Sequence, residues 1–480
     1  MITYPDSLGE DLHGLLRVLE EQFPHTFAGV HILPPFPSSG DRGFAPLTYL
    51  DIEPKFGTWK DIRKIGETTD VLLDLMVNHI SAHSPYFTDY LAQGTQSPFS
   101  DMFLPVEKIW QDGELPQDDL QRIFLRRPQP YSTYPVGEGH EPRRLWTTFG
   151  KEDPSEQVDL DIHSSRTRNL LKEFLDQFSR SGVRMVRLDA VGYVIKKPGT
   201  ACFMVEPEIY EFMKWIQAEA ESRGIVLLPE VHAEYSLQKR LSEQGFWIYD
   251  FILPYRVLEA LITHSGDSLK QYLRGRPQKQ FTMLDCHDGV PVKPDLNGLY
   301  ESTMVREVVD TCMERGGNLS LIYSPKHRDP DGFDVHQIRG TYYSLLGCND
   351  DAYLAARAIQ FFSPGIPQVY YVGLLAGEND LAALEKSKDG RVINRHNYSM
   401  REIEKEKQRR VVGRLENLIH FRNDYAAFNG HFGVIDTDSQ HIHLCWTKDD
   451  LSCELKINLA NYETQINYLD ENGRQVQYFI

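Results

Sequence analysis

Val186-Arg187-Leu188-Asp189-Ala190-Val191-Gly192-Tyr193 decides how this chain is read. A hydrophobic run, Val183 to Val191, carries Arg187 and Asp189 two residues apart. Side chains two apart on a strand point to one face, so a cation and an anion share one side of an apolar element. Burying both costs several kcal/mol unless they are paired or used. Two readings follow: a structural ion pair closing the end of a strand, or a carboxylate kept ionised by its neighbour for nucleophilic attack.

Working outward, β-rich runs alternate with amphipathic helical runs, the pattern of a parallel sheet built from βα units. The candidate strands are Ile2 to Tyr4, Val30 to Phe36, Val71 to Asn78, Val183 to Val191, Ile225 to Val231, Trp247 to Leu253, Phe281 to Cys286 and Gln368 to Val372. Helical periodicity runs over Leu8 to Phe23, Thr167 to Ser181, Pro207 to Ser222, Ala352 to Phe362 and Ile403 to Phe421, with Gly182 and Gly224 as stops. Eight strands with crossover helices predict an α/β fold, a (β/α)8 TIM barrel, with reactive groups at the C-terminal strand ends.

Residues 1–79, 160–289 and 349–421 are assigned to the barrel. Two stretches too long for ordinary loops, 80–159 after the third strand and 290–348 after the seventh, are read as insertions overhanging its mouth. Alternating segments in residues 422–480 predict a small C-terminal antiparallel β domain.

Composition narrows the function. The 480 residues hold 69 acidic and 51 basic side chains, a formal charge of -18 that repels nucleic acid and anionic membranes. No apolar run approaches the roughly 20 residues needed to span a bilayer, and the N-terminal residues lack a leader pattern. The 6 cysteines are scattered without metal or disulfide spacing. A cytoplasmic enzyme of small molecules, without metal or cofactor, is the expectation.

Acids recur at three strand ends: Asp189, Glu230 and Asp288. A barrel gathers those ends around one mouth, where two carboxyls can attack and protonate a glycosidic bond and a third can stabilise the transition state. Asp285, out of phase with Asp288, is given a structural role, and Cys286 an inert one.

These residues resemble a known family. Val77-Asn78-His79, Arg187-Leu188-Asp189-Ala190-Val191, Leu228-Pro229-Glu230-Val231 and Leu284-Asp285-Cys286-His287-Asp288 look like the four ordered signature regions of the α-amylase clan of retaining glycosidases. Val30 to Phe36, Gly192-Tyr193 with Gly199 to Phe203, Gly365 to Gly373 and Ile393-Asn394-Arg395-His396 are similar to its sucrose phosphorylase branch. The resemblance implies Asp189 as nucleophile, Glu230 as acid and base, and Asp288 as stabiliser. It implies that Asp41, His79, Arg187, His287 and Arg395 hold the glucosyl unit, walled by Phe44, Phe149 and Tyr193. Arg187 would keep Asp189 ionised, and Glu230 would need a less polar setting to start protonated. Asn78 lies near a calcium position of some clan members, but no acidic cluster accompanies it.

The insertions would shape the pocket for the leaving group. Phe124-Leu125-Arg126-Arg127-Pro128 and Phe333-Asp334-Val335-His336-Gln337 bring an arginine and a histidine that could grip a phosphate. Arg127, Asp334, His336 and Gln337 are the predicted contacts; Arg126, Lys326 and Arg328 are left open between binding and solvation. Arg127 and His336, where plain sucrose phosphorylases tend to carry uncharged residues and a Tyr, make the likeness closer to sucrose 6'-phosphate phosphorylases. The implied reaction is phosphorolysis to α-glucose 1-phosphate and fructose 6-phosphate. Phosphorolysis of free sucrose or glucosylglycerol, glucan hydrolysis or transglycosylation, and a non-catalytic sugar-binding barrel are the alternatives.

Overall fold

A computed structural model describes residues 1–111, 113–299, 302–323, 333–387, 389–470 and 473–480. Eight short parallel strands ring the centre: β1 Ile2–Thr3, β2 Gly29–Ile32, β3 Asp70–Met76, β4 Val183–Asp189, β5 Val226–Pro229, β6 Ile248–Asp250, β7 Gln280–Thr282 and β8 Ile366–Pro367. β1 to β5 pair in chain order, as do β6 to β8. A parallel bridge from Ile2 to Tyr370, with the Ile2 N–H donating to Val369, joins the first strand to the last. Ile2 thus links the N-terminal strand to the stretch that follows the eighth.

The long helix before β4 shows how sequence sets these elements. In α1, Ser165–Arg180, the Ser164 hydroxyl accepts from the N–H groups of Arg166 and Thr167, and Leu170, Leu171, Phe174, Leu175 and Phe178 bury one stripe. Gly182, at φ 78°, then turns the chain into β4 without the steric penalty of a side chain.

Several expected elements are shorter than their hydrophobic runs. The run Leu8 to Phe23 becomes helical only at Leu12, because Gly9 takes a left-handed φ of 87° and Asp11 caps the first turn by accepting from Gly14. The eighth strand is displaced, lying at Ile366–Pro367 ahead of the expected Gln368 to Val372; in that run Tyr370 makes an isolated bridge, and Tyr371–Leu374 coil into a helix. The run Ile403 to Phe421 divides into α2 Met400–Glu406 and α3 Arg410–Asp424, with the Arg409 guanidinium between them donating to the carbonyls of Leu375 and Ala376.

The chain ends in five antiparallel strands in sequence order, β9 His431–Ile435, β10 His441–Lys448, β11 Leu451–Asn458, β12 Thr464–Leu469 and β13 Gln475–Phe479. β9 is an element the alternation did not suggest. Ile442, Leu444 and Trp446 alternate inward from β10, and the Trp446 indole donates to the Phe362 carbonyl at 2.7 Å. Trp446→Phe is expected to lower unfolding free energy by about 1–2 kcal/mol, since a buried carbonyl loses its donor while the ring is largely kept; urea denaturation measures it.

After β3 the chain forms a hairpin, Tyr131–Val136 with Glu141–Trp146, and returns beside it through Gln157–Asp159, which pairs with His79–Ser81. After β7, Val335–Arg339 pairs with Val290–Pro291 on one side and Asn318–Leu321 on the other. Both segments contribute walls to one cavity at the C-terminal ends of the barrel strands.

Candidate active site

That cavity has a volume of about 980 Å³ and is lined by Asp189, Glu230 and Asp288 together. β4 delivers Asp189 with its last residue, Glu230 follows β5 directly, and Asp288 lies in the loop after β7. Asp41, Phe44, His79, Phe149, Tyr193, His287, Arg127 and Gln337 also line it, so the structure brings most of the predicted site residues to one place. Arg187 and Arg395 lie just behind the wall, buried and bonded to lining residues.

Arg187 is the hub. Its guanidinium donates to Asp74 and to Asp189 at 2.9 Å, and stands 3.3 Å from Glu230. Asp74 in turn meets the His31 ring at 2.8 Å. One cation therefore serves three carboxyls in a buried cluster. Burial, with the charges of Glu230, Asp74 and Asp288, outweighs Arg187 and pushes the Asp189 carboxyl up to about 8. Burial also opposes charge on Glu230, but Arg187 and a His232 imidazole 3.2 Å from its Oε1 overcome it and hold that carboxyl down at about 2. Arg187 is thus shared among three acids, and Glu230 sits in a polar setting, beside Arg187 and His232, where a less polar one was expected. The two carboxyls share one guanidinium, so charge on either favours the proton on the other.

Asp288 is different. Burial works to raise it, but the guanidinium groups of Arg391, Arg395 and Arg187 take it well below the ordinary carboxylate range. Burial lowers the His287 imidazole to about 3, so that ring is neutral at 3.6 Å from the carboxylate. His287 stacks on Phe44 with ring centroids 5.1 Å apart, and the His79 Nε2–H donates to the Phe44 carbonyl at 3.1 Å. Phe149 and Tyr193 meet edge to face at 5.1 Å. Arg391 donates to Asp41, a contact that sequence reasoning missed. Asp285 is buried away from the cavity and accepts from Arg357 at 2.7 Å.

The segments over the mouth require three corrections. The Arg127 guanidinium is 8% exposed and donates to the hydroxyls of Ser132 and Thr147 and to the carbonyl of Glu152, at 2.8, 2.6 and 2.8 Å, so it ties its own segment together. Half-buried Arg126 instead lies over the Phe149 ring and reaches across to His336, its Nη1 donating to Nε2 at 2.9 Å. His336 must then carry its proton on Nδ1, which donates to the Lys293 carbonyl. Burial and the Arg126 charge keep this imidazole neutral, so it is an orienting acceptor and no part of a cationic grip. Asp334 is not brought to the cavity wall; its carbonyl accepts from the Ile322 N–H. Lys326 and Arg328 lie outside the described residues. Among the described residues no group of His, Cys, Asp and Glu could hold a metal ion, and no helix is long and apolar enough to cross a membrane.

Asn78 does engage a cation, but an internal one. The Lys196 ammonium donates to Asn78 at 2.6 Å and to the Tyr193 carbonyl at 2.7 Å, and lies 2.7 Å from Asp159. All three charged or amide side chains are buried, so the ammonium fixes the floor on which Tyr193 stands.

The comparisons with known proteins agree with this geometry. The alpha-amylase catalytic-domain family matches residues 9–245. A sucrose 6(F)-phosphate phosphorylase from Thermoanaerobacterium thermosaccharolyticum is 59% identical over 480 residues, covering 100% of this chain and 98% of the relative. A sucrose phosphorylase from Streptococcus mutans is 40% identical, covering 89% of this chain and 88% of the relative. The crystal structure of sucrose 6F-phosphate phosphorylase from Thermoanaerobacter thermosaccharolyticum superposes with a TM-score of 0.98 at 59% identity, over 100% of this chain and 97% of that one. The chain belongs to the alpha-amylase family, in the branch that holds the sucrose and sucrose 6(F)-phosphate phosphorylases.

Proposed function

We propose that this protein catalyses the reversible phosphorolysis of sucrose 6'-phosphate, giving α-glucose 1-phosphate and fructose 6-phosphate with retention of configuration. The observation that carries it is the full-length likeness, at 59% identity, to a sucrose 6(F)-phosphate phosphorylase. Arg126 at the mouth supplies the cation that a phosphorylated leaving group needs.

Asp189 attacks the anomeric carbon as the bond to the fructosyl oxygen breaks, and Glu230 gives its proton to that oxygen. The reaction requires Glu230 protonated and Asp189 ionised at the moment of attack. The glucosyl unit is left as a β-linked ester on Asp189. A phosphate oxygen then attacks the same carbon, the ester bond breaks, and Glu230 takes the proton from phosphate. Two inversions restore the α configuration. Asp288, ionised throughout, lies where positive charge develops on the ring. Asp41, His79, His287 and Arg395 hold the sugar, between Phe44, Phe149 and Tyr193. Gln337 and Arg126 face the fructosyl phosphate.

We take residues 80–159 and 290–348 as the insertions that close the acceptor side, and the cytoplasm, to which 6 unpaired cysteines are suited, as the place of action. Small sugars and phosphate are the only partners this reading requires.

The test is a substrate panel with and without inorganic phosphate, assayed for glucose 1-phosphate. Sucrose 6'-phosphate is expected to exceed free sucrose in kcat/KM by about tenfold or more, the worth of one charged contact. Preference for the uncharged sugar overturns the leaving group, and free glucose as the main product overturns phosphorolysis.

A further inference from the structure

The acid–base carboxyl of Glu230 does not stand alone. His232, two residues on, turns its Nε2 to Glu230 Oε1 at 3.2 Å and its Nδ1 to Asp295 Oδ2 at 3.2 Å. Asp295 is fully buried, in the segment after β7, and its other oxygen accepts from Gln238 at 3.1 Å. The imidazole lies against Phe251, with centroids 3.9 Å apart, and meets the edge of His336 at 6.0 Å. The ring is thus held by an acid at each nitrogen and an aromatic surface below, and it also lines the cavity.

We propose that His232, clamped between Glu230 and Asp295, is a positioning residue that orients the acid–base carboxyl and governs where its proton sits. Glu230, His232 and Asp295 then act as one unit. The inference rests on Glu230 being the acid and base of the proposed reaction.

The charged and titratable groups around the unit are defined. Glu230 is faced by Arg187, Asp189 and Asp288, and its Oε2 accepts from the Ala190 N–H at 3.3 Å. His232 is faced by Glu230, Asp295 and the neutral His336, with Arg126 beyond that ring. The Tyr193 phenol stands near Glu230 and Asp295 and stays uncharged, since burial moves it up to about 12. Between its two acids His232 is held as an imidazolium, its own burial notwithstanding, at about 10. A cation beside Glu230 favours the carboxylate. Removing it, or removing the Asp295 charge that sustains it, must make Glu230 keep its proton to higher pH.

The experiment compares His232→Asn, Asp295→Asn and the double variant on sucrose 6'-phosphate and on α-glucosyl fluoride, whose leaving group needs no proton. Turnover of the phosphorylated sugar is expected to fall about 10- to 100-fold, and that of the fluoride by less than about threefold. The basic limb of the kcat/KM profile is expected to move up by about one pH unit in each variant, with no further shift in the double one. Equal losses on both donors, or an unmoved limb, overturn the proposal. If Asp295→Asn does not fold, His232→Asn decides by the same two readouts. If the parent enzyme prefers another donor, the substrate reading falls, and the ratio of that donor to the fluoride still decides the role of His232.

Discussion

Replacing Asp189 with Asn is expected to lower turnover by about 10⁴- to 10⁶-fold while leaving donor binding nearly intact, because the variant lacks the oxygen nucleophile of the proposed reaction and keeps the residues proposed to hold the sugar. At 1.36 kcal/mol per factor of ten, this is roughly 5–8 kcal/mol of transition-state stabilisation. Single-turnover release of fructose 6-phosphate measures it. A loss smaller than about tenfold would place the nucleophile elsewhere.

The same substitution carries a stability signature of opposite sign. A carboxyl raised from 3.8 to about 8 in the folded protein binds its proton more tightly there than in the unfolded chain. Its favourable contribution is complete below the unfolded value and is lost progressively as pH rises from about 4 to 8. Asn does not titrate, so the variant escapes that loss. Its melting temperature relative to the parent is expected to climb between pH 5 and pH 8; a flat difference would mean that Arg187 neutralises Asp189 after all. Activity and stability are therefore set against each other at one side chain, as a nucleophile buried among other acids requires.

How much of this was legible in the sequence depends on what kind of information each residue carries. The three acids could be placed because strand ends converge in a barrel, and a carboxyl at such an end needs only its strand to be recognised. The rule that paired Arg187 with Asp189, same face at a spacing of two, applies equally to Glu230 and His232, so that partner was within reach and was overlooked. Asp74 and His31 also sit within apolar strand runs, where an unexplained charge is a signal. Arg391 and Asp295 carried none: one reaches the site from a short 3-10 helix and the other from a turn, both outside the barrel strands, where strand spacing does not fix direction. Proton distribution between Asp189 and Glu230 was unreadable for another reason, since it depends on how one guanidinium is divided among three acids in space.

The mouth of the pocket supplies the second large expectation. Arg126 and Arg127 are adjacent in a bent segment, and sequence does not say which guanidinium is tied down within it and which is left to the cavity. The structure answers by hydrogen-bond inventory. Arg127 donates to Ser132, Thr147 and Glu152 within its own segment, whereas Arg126 donates to an imidazole that has no charge to offer it and meets the Tyr193 phenol. A guanidinium with five donors keeps most of its capacity for a bidentate anion, and His336 fixes its angle without neutralising it. Arg126→Ala is accordingly expected to lower kcat/KM for sucrose 6'-phosphate by about 30- to 100-fold, roughly 2–3 kcal/mol for a lost charged contact, and to change that for free sucrose by less than about threefold. Arg127→Ala is expected to act on both donors alike and to lower the melting temperature, because two buried hydroxyls and the Glu152 carbonyl lose their donor. His336→Phe, which keeps the ring and removes the orienting nitrogen, falls between the two, with a loss confined to the phosphorylated donor. If instead Arg127→Ala alone abolishes discrimination between the sugars, the segment must rearrange when the donor binds, with Arg127 turning from Ser132 and Thr147 to the phosphate.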